Sequence, residues 1–372
     1  MRITLVIFSL VAGGAERMMA AMANHWAEKG WTVSLLTLDS GKEPPFYPLH
    51  PAVRHSPLAL ASVAANPFQA LRSNIHRIRR LRAAIRETQP DIVISLMSET
   101  NVQTLLATRG MGVPVLVQEQ NDPFHLQIGR QWNVLRRWMY PRASHVVVLT
   151  ERSLSFFSRR IRQRARVIPN PAIVNVPPRT PFSNRGQAKT MIAMGRLVPQ
   201  KGLDLLLQAF ARVADRHPDW SLEVLGEGRL RGELEAQVQS LGLMGRVRLP
   251  GTTKQPHEKL RNADLFVMSS RHEGFPLSLC EAMACGLPAV SFDCPTGPRE
   301  IIRDGVDGIL VPPENVAALS DAMDELMRDE QRRESLAARA PEVLDRFSLQ
   351  KIMDQWEALI VETLASRKPQ SA

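Results

Sequence analysis

Glu273-Gly-Phe-Pro-Leu-Ser-Leu-Cys-Glu281 sets two carboxylates eight positions apart, with Gly274 and Pro276 between them. The residues before it, 263–270 (ADLFVMSS), are a short apolar run that reads as a buried strand. Leu277 to Cys285 read as a helix that Gly286 stops ahead of Pro288, and Ala289 to Asp293 begin the next strand. Glu273 is then predicted at the carboxyl end of a parallel strand, and Glu281 just over a turn into the helix. The amides of Leu277 and Ser278 fall at the helix N-terminus, where unpaired N–H groups and the helix dipole favour an anion. A capped helix followed by a surface glutamate would carry the same letters, so the stretch alone does not decide.

A second loop repeats the arrangement. Met191 to Gly195 read as a strand, Arg196 to Gly202 as a turn, and Leu203 to Asp215 as an amphipathic helix. Arg196 and Lys201 are thereby predicted at a strand end, five residues apart on one loop. Ligands of open parallel sheets bind outside the carboxyl ends of the strands, so this loop and the Glu273 turn are expected to face one crevice. A forked guanidinium with a point-charge ammonium is a common pair for a diphosphate. Cations and helix amides flanked by two carboxylates suit a nucleotide-sugar, whose diphosphate needs donors and whose hydroxyls need acceptors.

Outward from these loops the chain alternates strand and helix. Strands are predicted at 3–10, 32–39, 91–97, 114–120, 145–150 and 166–168, and again at 191–195, 221–226, 246–250, 264–269, 289–293 and 308–311. Short Val/Ile/Leu runs of this kind mark a parallel sheet covered by helices. Pro44 to Pro67 reads as irregular, and the Pro- and polar-rich run 173–188 as an inter-domain linker. Helices are predicted at 315–328, 331–344 and 348–365. The resulting expectation is an α/β chain with domains at 1–172 and 189–345, closed by residues 346–372.

Three signatures taken together resemble the retaining glycosyltransferases of family 4: Gly13-Gly14-Ala15-Glu16-Arg17, the Gly195-Arg196-Leu197…Lys201-Gly202 loop, and the Glu273…Glu281 pair. Ile168-Pro-Asn-Pro171 and Gly297-Pro-Arg-Glu-Ile-Ile-Arg-Asp-Gly305 extend the likeness nearly end to end. The resemblance implies a GT-B fold of two facing Rossmann-like domains, with 346–372 as a terminal helix and tail packing back on the first. It implies that Arg196 and Lys201 hold the departing diphosphate. Glu281 is expected to accept from the ribose and Glu273 from the transferred sugar. Gly13, Gly14, Gly226, Leu249, Phe275, Pro276, Leu277 and Ser278 are expected to line the donor. Glu119 and Asn121, after a strand of the first domain, are expected near the acceptor; related enzymes often carry a histidine where Gln120 stands here. The implied route is same-face transfer with retention, usually from a UDP-sugar, without a protein nucleophile. No cofactor or divalent metal is expected: there is no Asp-x-Asp in the chain, and the basic loop takes the metal's place. A nucleotide-sugar epimerase of the same fold is the alternative reading.

Charge separates the halves. The chain is +10 overall, but residues 1–180 hold 23 Lys/Arg against 10 Asp/Glu, leaving the remainder net acidic. The densest element is a predicted helix at 71–89, apolar at Leu71, Ile75, Ile78, Leu81 and Ile85 and basic elsewhere, including Arg72, Arg79 and Arg86. Such a helix can lie on an anionic membrane surface or bind phosphates of a lipid-linked acceptor, although a core-packed helix with a charged outer face reads alike. Arg159, Arg160, Arg162, Arg164 and Arg166 lie in the same half. Nucleic-acid binding is disfavoured by 5% aromatic content, the acidic second half and the absence of a recognised motif. No apolar run reaches the ~18 residues of a membrane span. The apolar N-terminus runs into Gly13-Gly14 as a first strand and phosphate loop, not as a leader. Cys280, Cys285 and Cys294 show no metal spacing and fit a reducing compartment. The expected location is cytoplasmic, peripheral on the inner face of the inner membrane, with a nucleotide-sugar donor and a membrane-linked glycan acceptor.

Overall fold

The computed structural model describes residues 1–60, 67–126, 128–174 and 188–366, without the side chains of 67–72. The chain divides into two compact units, Met1–Asn170 with Gln350–Ala372, and Pro171–Leu349. Residues 175–187 of the predicted linker and 367–372 of the tail lie outside the described residues.

The first unit holds β1 (Arg2–Ile7), β2 (Thr32–Thr37), β3 (Arg54–Pro57), β4 (Ile92–Leu96), β5 (Val115–Gln118), β6 (His145–Val148) and β7 (Ala165–Val167). They form one parallel sheet in the order β3-β2-β1-β4-β5-β6-β7. The second unit holds β8 (Lys189–Met194), β9 (Trp220–Leu225), β10 (Val247–Gly251), β11 (Leu265–Met268), β12 (Ala289–Phe292) and β13 (Ile309–Val311), ordered β10-β9-β8-β11-β12-β13. Both sheets are doubly wound, with strand order reversing beside the first strand of each. At such a switch point adjacent connections leave to opposite faces and open a crevice at the carboxyl ends. In the second unit that point lies between β8 and β11, which carry the two loops singled out above.

Strands buried on both faces need apolar cover from helices. Helix Leu203–Ala211 lays Leu206, Leu207 and Phe210 on Met191, Leu222 and Leu265. In the first unit Leu81, Ile85 and Val102 cover Val93, Val117 and Val146. Each such side chain, fully buried, contributes ~1.5–3 kcal/mol. The last helix, Leu349–Ala365, buries Ile352, Met353, Trp356 and Ile360. Its Glu357 takes Lys29 Nζ at 2.7 Å and His25 Nε2 at 3.0 Å, and its Glu362 takes Arg166 at 2.8 Å. It thus belongs to the first unit.

Four local expectations are corrected. Pro44 to Pro67 is not wholly irregular: Arg54–Pro57 pairs with β2 as an edge strand, invisible as a pattern because RHSP has no apolar alternation. The predicted helix at 203–215 ends at Ala211 and resumes as a 3₁₀ turn, Ala214–Arg216. The predicted helix at 331–344 is broken by a 3₁₀ turn at Ala340–Glu342, because Pro341 cannot donate within a helix. The basic helix spans Pro67–Glu87 instead of 71–89.

Candidate active site

The Arg196 loop and the Glu273 loop meet at the switch point of the second unit. Gly202 makes their approach possible: its φ is +57°, and a Cβ there would lie 2.0 Å from the Ser269 carbonyl. The loops are then stitched by backbone and side chain. Arg271 N donates to Gln200 O at 2.8 Å, Ser269 Oγ to Lys201 O at 3.0 Å, and Gln200 Nε2 to His272 O at 2.9 Å. Arg271 also forks onto Asp204 at 2.8 and 2.7 Å and reaches Pro199 O at 2.7 Å. That hydrogen-bonded guanidinium holds the Asp204 carboxyl below its usual range.

Within this frame Lys201 Nζ sits 2.5 Å from Glu273 Oε1, and Ser270 Oγ donates to the same oxygen at 2.6 Å. Glu273 is 5% exposed. Its Oε2 has no hydrogen-bond partner among the described residues, so the carboxylate is fixed at one oxygen and open at the other. Thr296 Oγ1 donates to the Glu273 carbonyl and fixes the backbone. Arg196 is exposed, with no ion-pair partner among the described residues. Helix Leu277–Ala284 begins after Pro276 with no side-chain cap; Leu279 and Cys280 N–H turn back to Pro276 O, leaving the Leu277 and Ser278 amides at the open end. Phe275, 5% exposed, packs edge-on against Phe347 at 5.1 Å between centroids, shaping the turn from beneath. Glu281 is 2% exposed, with His257 Nε2 at 3.9 Å.

The loop after β9 closes on the same place. Gly226, at φ +142°, brings its backbone so near that a Cβ would be 2.0 Å from Gly195 O. Leu197 N donates to Glu227 O at 2.8 Å, binding the two loops. Leu249, on β10, gives its carbonyl to Arg231, which also pairs with Glu227. Gly226 therefore borders the Arg196 loop, whereas Leu249 is linked to it only through Arg231 and Glu227. Burial pushes the Cys294 thiol up to about 12 and the Cys280 thiol well above its ordinary value. Among the described residues there is no cluster of three or more His, Cys, Asp or Glu able to hold a metal, and no helix long and apolar enough to cross a membrane.

Gly13 is an extended N-cap and Gly14 opens helix Gly14–Glu28; a Cβ at Gly13 would strike the Glu16 carboxylate. Asn121 is half-buried, its amide 3.9 Å from Met97 Sδ. Glu119 is corrected. It is 1% exposed, with Ser98 Oγ on Oε2 at 2.5 Å, Tyr140 OH on Oε1 at 2.5 Å and Arg136 at 3.5 Å. Both oxygens are taken, so it is a buried structural acceptor. Burial, then the Glu119 charge, drives the Tyr140 phenol well above its usual range. Arg79 and Arg86 are exposed on helix Pro67–Glu87, whereas Arg72 has no described side chain. Ser270, Arg271, Thr296 and His257 were not singled out from sequence. Ser270 alone carried a local signal, a hydroxyl three positions before Glu273.

Two doubly wound units, with a cationic loop, an open helix end and two buried carboxylates at a switch point, define a transferase of the GT-B type. Residues 179–343 match the family model of glycosyl transferases group 1, and residues 13–171 that of the glycosyl transferase 4-like domain. The chain belongs to this glycosyltransferase family. It is 34% identical over 291 residues to an exopolysaccharide phosphotransferase of Streptomyces coelicolor, 77% of this chain but only 30% of that protein. It is 27% identical over 97% of its length, and 99% of the relative's, to a Campylobacter jejuni protein. That relative is a GalNAc-alpha-(1->4)-GalNAc-alpha-(1->3)-diNAcBac-PP-undecaprenol alpha-1,4-N-acetyl-D-galactosaminyltransferase. Anabaena HepE, solved with UDP and glucose, shares the fold with a TM-score of 0.78 at 20% identity, over 99% of this chain and all of that one.

Proposed function

We propose that this protein moves a hexose or N-acetylhexosamine, with retention, from a UDP-sugar to a membrane-linked glycan acceptor in surface polysaccharide synthesis. It does so at the cytoplasmic face of the membrane and without a divalent ion. The observation that carries this reading is the Glu273 carboxylate, held at Oε1 by Lys201 and Ser270 and open at Oε2, on the turn that leads into the uncapped helix start at Leu277 and Ser278. An anion seated on the amides there receives the charge of Arg196 and Lys201. As the glycosidic bond breaks, negative charge grows on the leaving phosphate, which these fixed donors stabilise more than they stabilise the ground state. Glu273 Oε2 accepts from a sugar hydroxyl and opposes positive charge at the anomeric carbon, while Glu281 accepts from the ribose. The leaving phosphate takes the acceptor's proton, so no protein base is required.

A UDP donor is supported by HepE, solved with UDP and glucose, and a lipid-linked acceptor by the Campylobacter relative's undecaprenol-linked substrate. The exposed Arg79 and Arg86 offer charge to that acceptor's phosphates. The relatives' names favour transfer over epimerisation. Thermal melting with a panel of nucleotide-sugars, with and without EDTA, tests the reading, because a ligand that binds only the native state raises its melting point. A UDP-sugar is expected to stabilise the protein equally in EDTA; stabilisation that needs a metal, or only by other nucleotides, would refute it.

A further inference from the structure

Helix Gly129–Met139 (GRQWNVLRRWM) carries apolar side chains on two sides. Trp132, Arg136 and Met139 turn inward: Met139 joins the core of the first unit and Trp132 packs against it. Arg136, 3% exposed, lies 4.7 Å over Phe156 and donates to Asn133 at 2.8 Å, locking the helix in rotation. Val134, Leu135 and Trp138 turn outward at 56%, 37% and 70% exposure. Phe124, 46% exposed, stands on the preceding loop and meets the same Phe156 edge-on at 5.2 Å.

Arg130, Arg137 and Arg142 are exposed around these residues, and Arg142 donates to the Trp138 carbonyl at the helix end. Arg130 and Arg137 have no ion-pair partner among the described residues. The sequence holds no Asp or Glu between Asp122 and Glu151, so the segment supplies no carboxylate of its own. A two-fold contact between copies would set these arginines against themselves with no carboxylate of the segment to neutralise them. Helix Pro67–Glu87 is different. Its Leu81 and Ile85 are spent in the core, and Arg82 is held by the Ala107 and Arg109 carbonyls at 2.7 Å. Among its described side chains Ile75, 43% exposed, is the one large apolar residue facing out.

We infer that helix Gly129–Met139 seats this chain on an anionic lipid surface, with Val134, Leu135 and Trp138 entering the headgroup boundary and Arg130, Arg137 and Arg142 meeting lipid phosphates. Indole suits that depth, with an apolar ring and one polar N–H. Two weak attractions, apolar insertion and charge, add on one rigid element. The inference draws its purpose from the membrane-linked acceptor, but its test uses neither donor nor acceptor.

The test is co-sedimentation with vesicles of equal parts phosphatidylglycerol and phosphatidylcholine. Val134→Ser/Trp138→Ser is expected to lower partitioning by roughly tenfold or more while retaining the melting temperature and its response to nucleotide-sugar. Arg130→Gln/Arg137→Gln is expected to weaken binding and flatten its salt dependence, and Arg79→Gln/Arg86→Gln to leave it within about twofold. Brominated lipid should quench the wild-type emission more than that of Trp138→Phe. Wild-type partitioning by the Val134/Trp138 variant, or loss confined to the Arg79/Arg86 variant, overturns the inference. So does a wild-type dimer that Val134→Ser/Trp138→Ser dissolves. Absence of any nucleotide-sugar stabilisation alongside the expected vesicle result would remove only the functional reading.

Discussion

Lys201 Nζ and Glu273 Oε1, 72 positions apart in sequence, lie 2.5 Å from each other. The cation assigned to the diphosphate and the carboxylate assigned to the sugar are therefore one pair, and Lys201 has a structural duty that Arg196 lacks. Their side chains are 17% and 7% exposed, so the pair is only lightly screened by solvent.

That asymmetry separates two substitutions that look equivalent in sequence. Arg196→Ala should leave the melting temperature nearly unchanged and raise the barrier on the order of 3 kcal/mol, about a hundredfold in turnover. Lys201→Ala should lose turnover similarly and also destabilise by about 1–3 kcal/mol, since Glu273 keeps only Ser270. Steady-state rates beside urea melts check both; a fully active Arg196→Ala would remove the diphosphate assignment.

Glu281→Gln preserves packing at a buried site but replaces an anionic acceptor with an amide. The donor KM is expected to rise by roughly tenfold, with a smaller change in kcat. An unchanged KM would show that the ribose is held elsewhere.

Gly226→Ala should destabilise the second unit by about 2 kcal/mol or more, since the added carbon meets a backbone oxygen and the φ is hostile to L-residues. Gly232→Ala is the control: nothing lies within 4 Å of a Cβ there, and in helix Arg231–Ser240 alanine should stabilise by about 0.5–1 kcal/mol. Chemical melts of the two variants should move in opposite directions.

The Asp204–Arg271 fork gives the loops a pH signature. A carboxyl depressed by hydrogen bonds from Arg271 contributes stability that is complete above its unfolded pKa and is lost as pH falls through its lower folded value. The stability gap between wild type and Asp204→Asn should therefore be widest at neutral pH and shrink in acid, below the ordinary carboxylate range. A gap that widened on acidification would contradict the assignment.

Glu119→Gln should cost about 1–3 kcal/mol of stability, because it strips the carboxylate from Tyr140, Ser98 and Arg136. Once folded, the variant should keep its acceptor KM. An elevated KM with unchanged stability would return Glu119 to the acceptor site.

Much of the donor-side architecture was readable in the letters. Apolar runs at 191–195 and 264–269 and the punctuating Gly202 and Gly286 are local signals, and strand ends next to charged loops follow from them. Arg54–Pro57 was not readable, because an exposed edge strand needs no apolar alternation. The break at Pro341 was present in the sequence as a proline, and the continuous helix predicted there passed over it.

The sequence by itself determined two parallel sheets, the loops that follow their strands, and which loops carry Arg196, Lys201, Glu273 and Glu281. These depend on periodicity and turn chemistry within a few residues. Only the tertiary structure decided that Lys201 grips Glu273, that Glu119 has no free oxygen, and that Trp138 faces outward while Trp132 packs against the core. Partner choice and burial are set by strands and helices distant in sequence, once packing brings them within hydrogen-bond or van der Waals reach.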